Sequence, residues 1–549
     1  MVCETNLLYE IMNLSKYSIR GTIMRDGMTL VVDLRSGSIH TKKDEGEREY
    51  IGGGLGAYML NKRIKGDVDA MGPENVLVIT SGPFAGMPIP AASGIGIFSK
   101  SPLTGYFGDD YLFGAFGNQM SRAGYASIII RGVSERPVYL YIDDGVCTIK
   151  RADELLGLSP WKTEEKIREA MNDRSLGVIS IGQAGENKVR YATIYGDFQY
   201  SGCGLGAVMG SKRLKAIAIK GSNDLRPKDP TTILEMYKML SKKMEESFVD
   251  DLDWAYDARD KLPANNFKGV SSDSDVKKLI GGLKERELKK VSFQHCPVAC
   301  KTLCQSDGII SPITIGGISI GLLNGIYDPD TVIKAEHLCY TLGLDPRSVA
   351  VVAAFANELE ERGDDIGFDM GFGKKEELLK FIEVISKGKS IFSEGIKAAA
   401  KKFGAEDSAM HSKGAELSID TFTDENIAFG TAISHSGSYQ GGKDYDTSNL
   451  LKMMMVYPKA YNAYSKEDLY RLYAAVGGET DRERLGEMKD KINDIKREFN
   501  IRQGWKMDDD TLPQRIMKNF SGEEAFLQKR LDYYRSMGWD EEGSKGERE

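Results

Sequence analysis

The chain has 549 residues, 41% apolar and 28% charged, enough to bury a sizeable core in about two to four domains and unlike a disordered composition. Its 73 basic and 81 acidic residues leave a formal charge of −8, which offers polyphosphates no global attraction and sets nucleic acid aside as the main partner. Seven cysteines, an odd number spread thinly, argue against a disulfide framework and for a reducing setting.

In chain order, Met1 to Tyr17 has one interior lysine and no basic-then-apolar targeting pattern, so a cytoplasmic protein is expected. From Leu30 to Gly221 come short β-branched runs bounded by glycine, proline or charge: Val76 to Thr80, Ser127 to Arg131, Val138 to Ile142 and Ala216 to Lys220. A helix is expected over Trp161 to Asn172. Two uncharged stretches, Val76 to Ser99 and Gly308 to Tyr327, are read as buried soluble structure rather than membrane spans, because prolines and glycines interrupt them.

Ser222 to Pro230 reads as a linker. Amphipathic helices are then expected over Thr231 to Ser247, Thr331 to Leu342, Ser348 to Arg362, Lys375 to Lys387 and Ser393 to Phe403, and later over Lys466 to Val476 and Arg484 to Phe499. The expected class is α+β, with a sheet-rich N-terminal domain (1–221) followed by two mainly helical domains. The middle one (222–420) carries a cysteine cluster, and the C-terminal one covers 421–549.

Two glycine segments, Gly52-Gly-Gly-Leu-Gly-Ala57 and Gly202-Cys-Gly-Leu-Gly-Ala207, share a core. Exposed amides at such turns can cradle a phosphate, which makes Gly53, Gly54, Gly204 and Gly206 candidate cofactor contacts. Glycines that only let strand and helix pack closely are as common. Cys296, Cys300 and Cys304 fall at four-residue intervals, placing three thiols where they could serve as metal ligands on one helix face or around an iron–sulfur cluster. A fourth ligand would have to come from Cys339 or His295, and inert buried cysteines are the equal alternative. His435, in a loop of small residues, is the candidate acid–base group.

Taken together the motifs resemble the tungsten-dependent aldehyde ferredoxin oxidoreductases over nearly the whole chain. The resemblance rests on Lys100-Ser-Pro-Leu-Thr-Gly105, Gly182-Gln-Ala-Gly-Glu-Asn187, Gly204-Leu-Gly-Ala-Val-Met-Gly-Ser-Lys212, Cys296-Pro-Val-Ala-Cys300, Leu342-Gly-Leu-Asp345, Arg497 to Arg502 and Gly538-Trp-Asp540. It implies a sheet-rich domain and two helical ones around a tungsten or molybdenum bis-pterin and a [4Fe-4S] cluster. It also implies oxidation of a small aldehyde with ferredoxin or a similar carrier as acceptor, in a soluble protein for which a homodimer is open. By the same resemblance Gly343, Leu344 and Asp345 join the cofactor contacts, and Lys212 or loop amides would meet the pterin phosphates.

Several site positions depart from the family pattern. Phe293 stands where the first cluster cysteine belongs, and Met453 to Met455 where the last one does. Tyr340 replaces an aspartate, Tyr111 and Phe113 replace small residues, Gln440 replaces a histidine, and both glycine segments lack an arginine. A glutamate-bearing motif is missing from Ser311 to Ile320. Two readings follow: an aldehyde-oxidising enzyme of the family kind, or a redox-inactive relative serving as scaffold, partner subunit or binder of a different ligand.

Overall fold

The computed structural model describes residues 27–43, 49–438, 445–478 and 482–545. Met1 to Tyr17, Cys3 and Gln440 lie outside the described residues. The described residues up to 221 build two mixed six-stranded sheets. One holds β1 (Met28–Asp33), β2 (Ser38–Lys42), β3 (Leu77–Ser81), β4 (Gly94–Lys100), β5 (Phe107–Phe113) and β6 (Tyr125–Arg131), in the order β2-β1-β6-β3-β4-β5. The other holds β7 (Val138–Asp143), β8 (Val146–Arg151), β9 (Gly177–Ile181), β10 (Ile194–Gly196), β11 (Gln199–Tyr200) and β12 (Leu214–Lys220), ordered β11-β10-β9-β12-β7-β8.

Alternation along these strands explains their unbroken apolar runs. Ile128 and Ile130 face a core shared with Leu140, Ile179 and Ile217 of the second sheet, whereas Ile129, Val78 and Phe98 face a different core. With both faces covered, the inner strands must be apolar on both sides, whereas the edge strands β2 and β8 stay largely exposed. The two stretches considered as membrane spans are therefore sheet and short helix, and no described helix is long and apolar enough to cross a bilayer.

Within this domain lie α1 (Gly52–Arg63), α2 (Ala115–Arg122), α3 (Pro160–Met171) and α4 (Leu205–Ser211). The segment Gly52 to Ala57, expected as a turn ahead of a helix, is the first part of α1 itself. A Cβ on Gly56 would meet the Phe98 ring and one on Gly54 the Ile492 side chain, so the glycines let α1 press between the sheet and the C-terminal helices.

The middle of the chain contributes α5 (Pro230–Ser247), α6 (Asp251–Asp257), α7 (Asp273–Glu285) and a three-stranded sheet of β13 (Glu287–Val291), β14 (Lys301–Ser306) and β15 (Ile309–Ile313). After it come α8 (Ile315–Leu323), α9 (Pro329–Leu342), α10 (Pro346–Glu361), α11 (Lys375–Ile385) and α12 (Ile396–Phe403). Helices α5, α9 and α10 each start one or two residues earlier than the periodicity predicts. In all three an Asp-Pro pair supplies an N-cap carboxylate and a proline at the first helical position: Asp229-Pro230, Asp328-Pro329 and Asp345-Pro346.

The C-terminal part holds α13 (Glu425–Ile433), α14 (Tyr445–Met453), α15 (Lys466–Ala475), α16 (Arg482–Arg502) and α17 (Glu523–Ser536). Packing cuts across the boundaries read at 222 and 420. Ile233, Met236 and Leu240 of α5, with Phe293, Cys296 and Cys300, share one core with the first sheet and with Met453 to Met455, Leu469 and Ile492. Most of the middle helices form a separate core.

The closest backbone approach is between α4 and the helical turn at Gln183–Glu186, where a Cβ on Gly210 would collide with the Gly185 carbonyl. Gly210→Ala is expected to lower stability by about 1–3 kcal/mol. Gly281→Ala, in α7 with nothing within 4 Å of the added methyl, is expected to raise it by about 0.5–1 kcal/mol through helix propensity. Urea unfolding midpoints of the two variants check the pair.

Candidate functional site

A chamber of about 320 Å³ lies where the three parts of the chain meet. β5 and the loop after β11 form one wall, Lys301, Thr314 and the start of α10 a second, and Ala415 to Asp420, Ser436 to Ser438 and Tyr457 to Lys459 the rest. Its lining carries six carboxylates (Asp109, Asp110, Asp251, Asp345, Glu416, Asp420) and four cations (Lys301, Arg347, Lys452, Lys459).

Most of these charges are already committed to neighbours. Asp345 caps α10 by accepting from the Arg347 amide at 2.9 Å, and the Arg347 guanidinium folds back onto it at 3.3 Å while lying over the Tyr200 ring. Lys459 pairs with Asp251 at 2.5 Å. Lys496 reaches in from α16 to Asp109 at 2.7 Å. Asp110 accepts from the Tyr111 amide at 2.7 Å and from the Gly202 amide. Glu416 accepts from the Ser348 hydroxyl at 2.8 Å and the Ile396 amide at 3.1 Å.

Burial sets the protonation of this lining. It pushes the Glu416 carboxyl up to about 7 against its hydrogen bonds, and raises Asp110 and Asp420 as well, in spite of Arg347 nearby. Burial would raise Asp109 too, but Lys496 and Lys452 hold its carboxyl below the usual range. Desolvation lowers the ammonium groups of Lys301 and Lys452, whereas Asp251 outweighs desolvation at Lys459 and raises it.

The residues singled out from the sequence are scattered around this chamber. Asp345 lines it. Gly343 and Leu344 sit just outside, Gly343 in a left-handed C-cap (φ +77°) packed on Gly182, and Leu344 buried with its backbone bridged to Ala192. Gly53 lies in α1 with a Cβ position 3.0 Å from the Tyr111 hydroxyl, and Gly54 packs on Ile492. Gly204, left-handed at φ +69°, packs on the Arg190 carbonyl, and Gly206 on that of Thr193. Lys212 is fully buried away from the chamber and donates to the Asn75 carbonyl, with its ammonium lowered by burial to about 8. His435 is buried with neither ring nitrogen hydrogen-bonded, its imidazole held neutral by burial and by Arg497, Lys496 and Lys413; its neighbours Ser436 to Ser438 line the chamber, but its own ring does not.

Spacing does not bring the three cluster cysteines together. Residues 292–300 are irregular and 301–306 are a strand, so Cys296 and Cys300 point into the core around Phe293 and Tyr457 while Cys304 points into the middle-helix core. The Cys304 thiol donates to the Leu283 carbonyl at 3.3 Å, and burial pushes both it and Cys296 up to about 12, toward the neutral thiol rather than the thiolate a metal requires. Cys339 is fully buried in α9. Among the described residues no group of three or more His, Cys, Asp or Glu side chains is placed to hold a metal ion.

A bis-pterin fits these surroundings no better than a cluster does. Two of the four candidate amides are engaged, Gly54 with Ile51 at 2.8 Å and Gly206 with Ala192 at 3.0 Å, and the nearby Gly202 amide donates to a carboxylate, Asp110. The Tyr111 hydroxyl stands against Gly53 and donates to Asp109 at 3.3 Å. Phe113 also lines the chamber, and Tyr340 is buried behind it against the rings of Tyr195 and Tyr200. The volume is at the low end of the ~300–1,000 Å³ that suits one drug-sized ligand, and most cations there already face a carboxylate where two anionic cofactors would sit.

The residues missed from the sequence are the chamber's charges other than Asp345. The adjacent pair Asp109-Asp110 was the available signal; Lys301, Arg347, Glu416, Lys452 and Lys459 carried none, since each is a lone charge brought in by a different element.

Comparison with known proteins places this geometry. The aldehyde ferredoxin oxidoreductase N-terminal domain pattern matches residues 29–221, and the pattern for domains 2 and 3 matches 251–454 and 443–548. The tungsten-containing aldehyde ferredoxin oxidoreductase of Pyrococcus furiosus is 28% identical, with 94% of this chain and 96% of that protein covered. The WOR-like subunit of an aliphatic sulfonate oxidoreductase from the same organism is 29% identical over 77% of this chain and 76% of its own. Among solved structures, the active-site complex BamBC of benzoyl coenzyme A reductase with 1,5-dienoyl-CoA superposes with a TM-score of 0.84 at 22% identity, covering 95% of this chain and 96% of that one, which establishes likeness of fold.

The raised Glu416 carboxyl generates a pH prediction. The folded chain keeps a proton on Glu416 that an unfolded glutamate releases near its ordinary value, so stability falls as pH rises from that value to about 7. Relative to Glu416→Gln, the wild type is expected to lose about 3 kcal/mol across this window, read as urea midpoints at pH 5 and pH 8 that diverge only at the higher pH.

Proposed function

Because this chain belongs to the aldehyde ferredoxin oxidoreductase family, a family of oxidoreductases, we propose that it keeps the family architecture but uses the interdomain chamber to bind a small uncharged organic molecule directly. On this reading it holds neither the tungsten or molybdenum bis-pterin nor the [4Fe-4S] cluster. The observation that carries it is the Asp110 carboxyl seated on the Gly202 amide, with the Gly54 and Gly206 amides also bound within the protein. Asp110 fills the place a phosphate would take at that amide, and Cys304 faces a different core from Cys296 and Cys300, so three thiols do not meet around a cluster. The chamber walls instead combine aromatic rings (Tyr111, Phe113, Tyr200, Tyr457) with self-paired charges, which suits a small polar ligand with an apolar body.

A second reading, oxidation of an aldehyde with electrons passed to ferredoxin or a similar carrier, is favoured by the persistence of a chamber at the three-part junction with Asp345 still on its wall. Its site would need Asp110 and Tyr111 to leave the glycine segments.

Protein expressed anaerobically with tungstate, molybdate and iron supplied separates the two. Elemental analysis and a visible spectrum are expected to show a folded, colourless chain with tungsten, molybdenum and iron far below one per chain. Iron near four per chain together with tungsten or molybdenum overturns the proposal.

A further inference from the structure

Lys301 opens β14, the central strand of its small sheet, and lines the chamber while only 7% exposed. The other cations at the chamber each have a carboxylate: Arg347 has Asp345, Lys459 has Asp251, and Lys452 stands beside Asp109. Among the described residues the Lys301 ammonium makes no ion pair and no hydrogen bond. A buried lysine is ordinarily paired, so an amine left unpaired on the wall of the chamber is an exception that a ligand would explain. The groups around it are the Asp251 and Glu336 carboxyls, the Lys459 ammonium and the Cys300 thiol.

We propose that Lys301 is a covalent anchor for a small neutral aldehyde or ketone, its amine forming an imine with the carbonyl carbon inside the chamber. This rests on the reading above that the chamber takes an organic molecule directly. The nitrogen lone pair forms a C–N bond as the carbonyl π pair moves to oxygen, which takes a proton, and the nitrogen releases one. The carbinolamine then loses its hydroxyl with a proton as water, giving the C=N bond. Amine and carbonyl compound thus yield imine and one water, with no oxidant or reductant consumed. Asp251, held by Lys459 and facing the same amine, is the proton relay. The other cations of the lining already stand beside carboxylates, which leaves little counter-charge for anionic carbonyl compounds such as 2-oxo acids. The aromatic walls and the small volume favour one ring or a short chain beside the carbonyl.

The test is reductive trapping on the full chain: benzaldehyde with sodium cyanoborohydride, and in parallel 4-carboxybenzaldehyde, followed by peptide mass mapping. The expected result is a benzyl group on Lys301, added roughly tenfold or more faster than on exposed lysines such as Lys289. Labelling at that site is expected to be about tenfold slower with the carboxylated probe. Lys301→Arg, which keeps charge and bulk, is expected to remove the adduct, and Lys289→Arg to leave it.

Uniform surface labelling, or an adduct on Lys452 or Lys459 of the wild type instead, overturns the assignment, and this wild-type result does not depend on whether the variant folds. Equal labelling by both probes overturns the preference for a neutral ligand. Metal analysis of the same sample keeps the two proposals apart. A metal-loaded chain overturns the functional reading beneath the inference, whereas a metal-free chain without the Lys301 adduct overturns the inference alone.

Discussion

Asp510 is the point on which the closure of the chamber depends. Its carboxylate, fully buried, accepts from Lys413 at 2.8 Å, Arg497 at 2.9 Å, the Trp505 indole at 3.2 Å and the Tyr534 hydroxyl at 2.7 Å. Two cations around one carboxylate leave a buried excess of positive charge, and the Trp505 and Trp539 rings lie 3.9 and 4.4 Å from the Arg497 guanidinium, where their faces stabilise it. Such a cluster is costly to break, because removing one member strands the rest in a low dielectric. It joins α16, α17 and the loop carrying Lys413 into one body. One turn along α16, Asn500 accepts from the Phe107 amide at 2.7 Å and donates to the His435 carbonyl at 2.8 Å. Through that residue the Asp510 cluster fixes both β5 and the Ser434-to-Ser438 loop, two of the chamber's walls.

The same low dielectric explains why the chamber lining is self-paired. Isolated charges in a closed space are expensive, so each is met by a neighbour or shifted toward neutrality. Asp109 remains charged because two lysines face it, while Glu416 and Asp110 drift toward the protonated form because burial outweighs the partners they have. A lining arranged this way has little counter-charge to offer a polyanionic cofactor. Family membership and family chemistry are therefore separable here: the first rests on the packing of many dispersed segments, the second on a handful of side chains at their junction.

The glycine segments show the limit of motif reading most directly. Their shared core suggested phosphate cradles, yet Gly54 and Gly56 face side chains, Gly204 and Gly206 face carbonyls, and the Gly54 and Gly206 amides are spent on local hydrogen bonds. A run of glycines reports that backbone must come close to something. Whether that something is a ligand or another part of the chain depends on what the fold brings there. Lys212 followed the same course, satisfied by the Asn75 carbonyl just ahead of β3.

Strand and helix positions were legible because they depend on local periodicity and capping. The apolar runs at 128–130 and 217–219, and the Asp-Pro starts of three helices, carry their structure in neighbouring residues. The α+β class and the order of its parts followed from that. The cysteine cluster was not legible, because one strand beginning at Lys301 turns Cys304 away from Cys296 and Cys300, and no spacing rule announces where a loop becomes a strand. The chamber was least legible of all: Asp110, Lys301, Arg347, Glu416 and Lys459 are far apart in sequence and individually ordinary. Only tertiary packing brings them around one space, and the cost of burying charge then decides which of them remain ionised and which are paired.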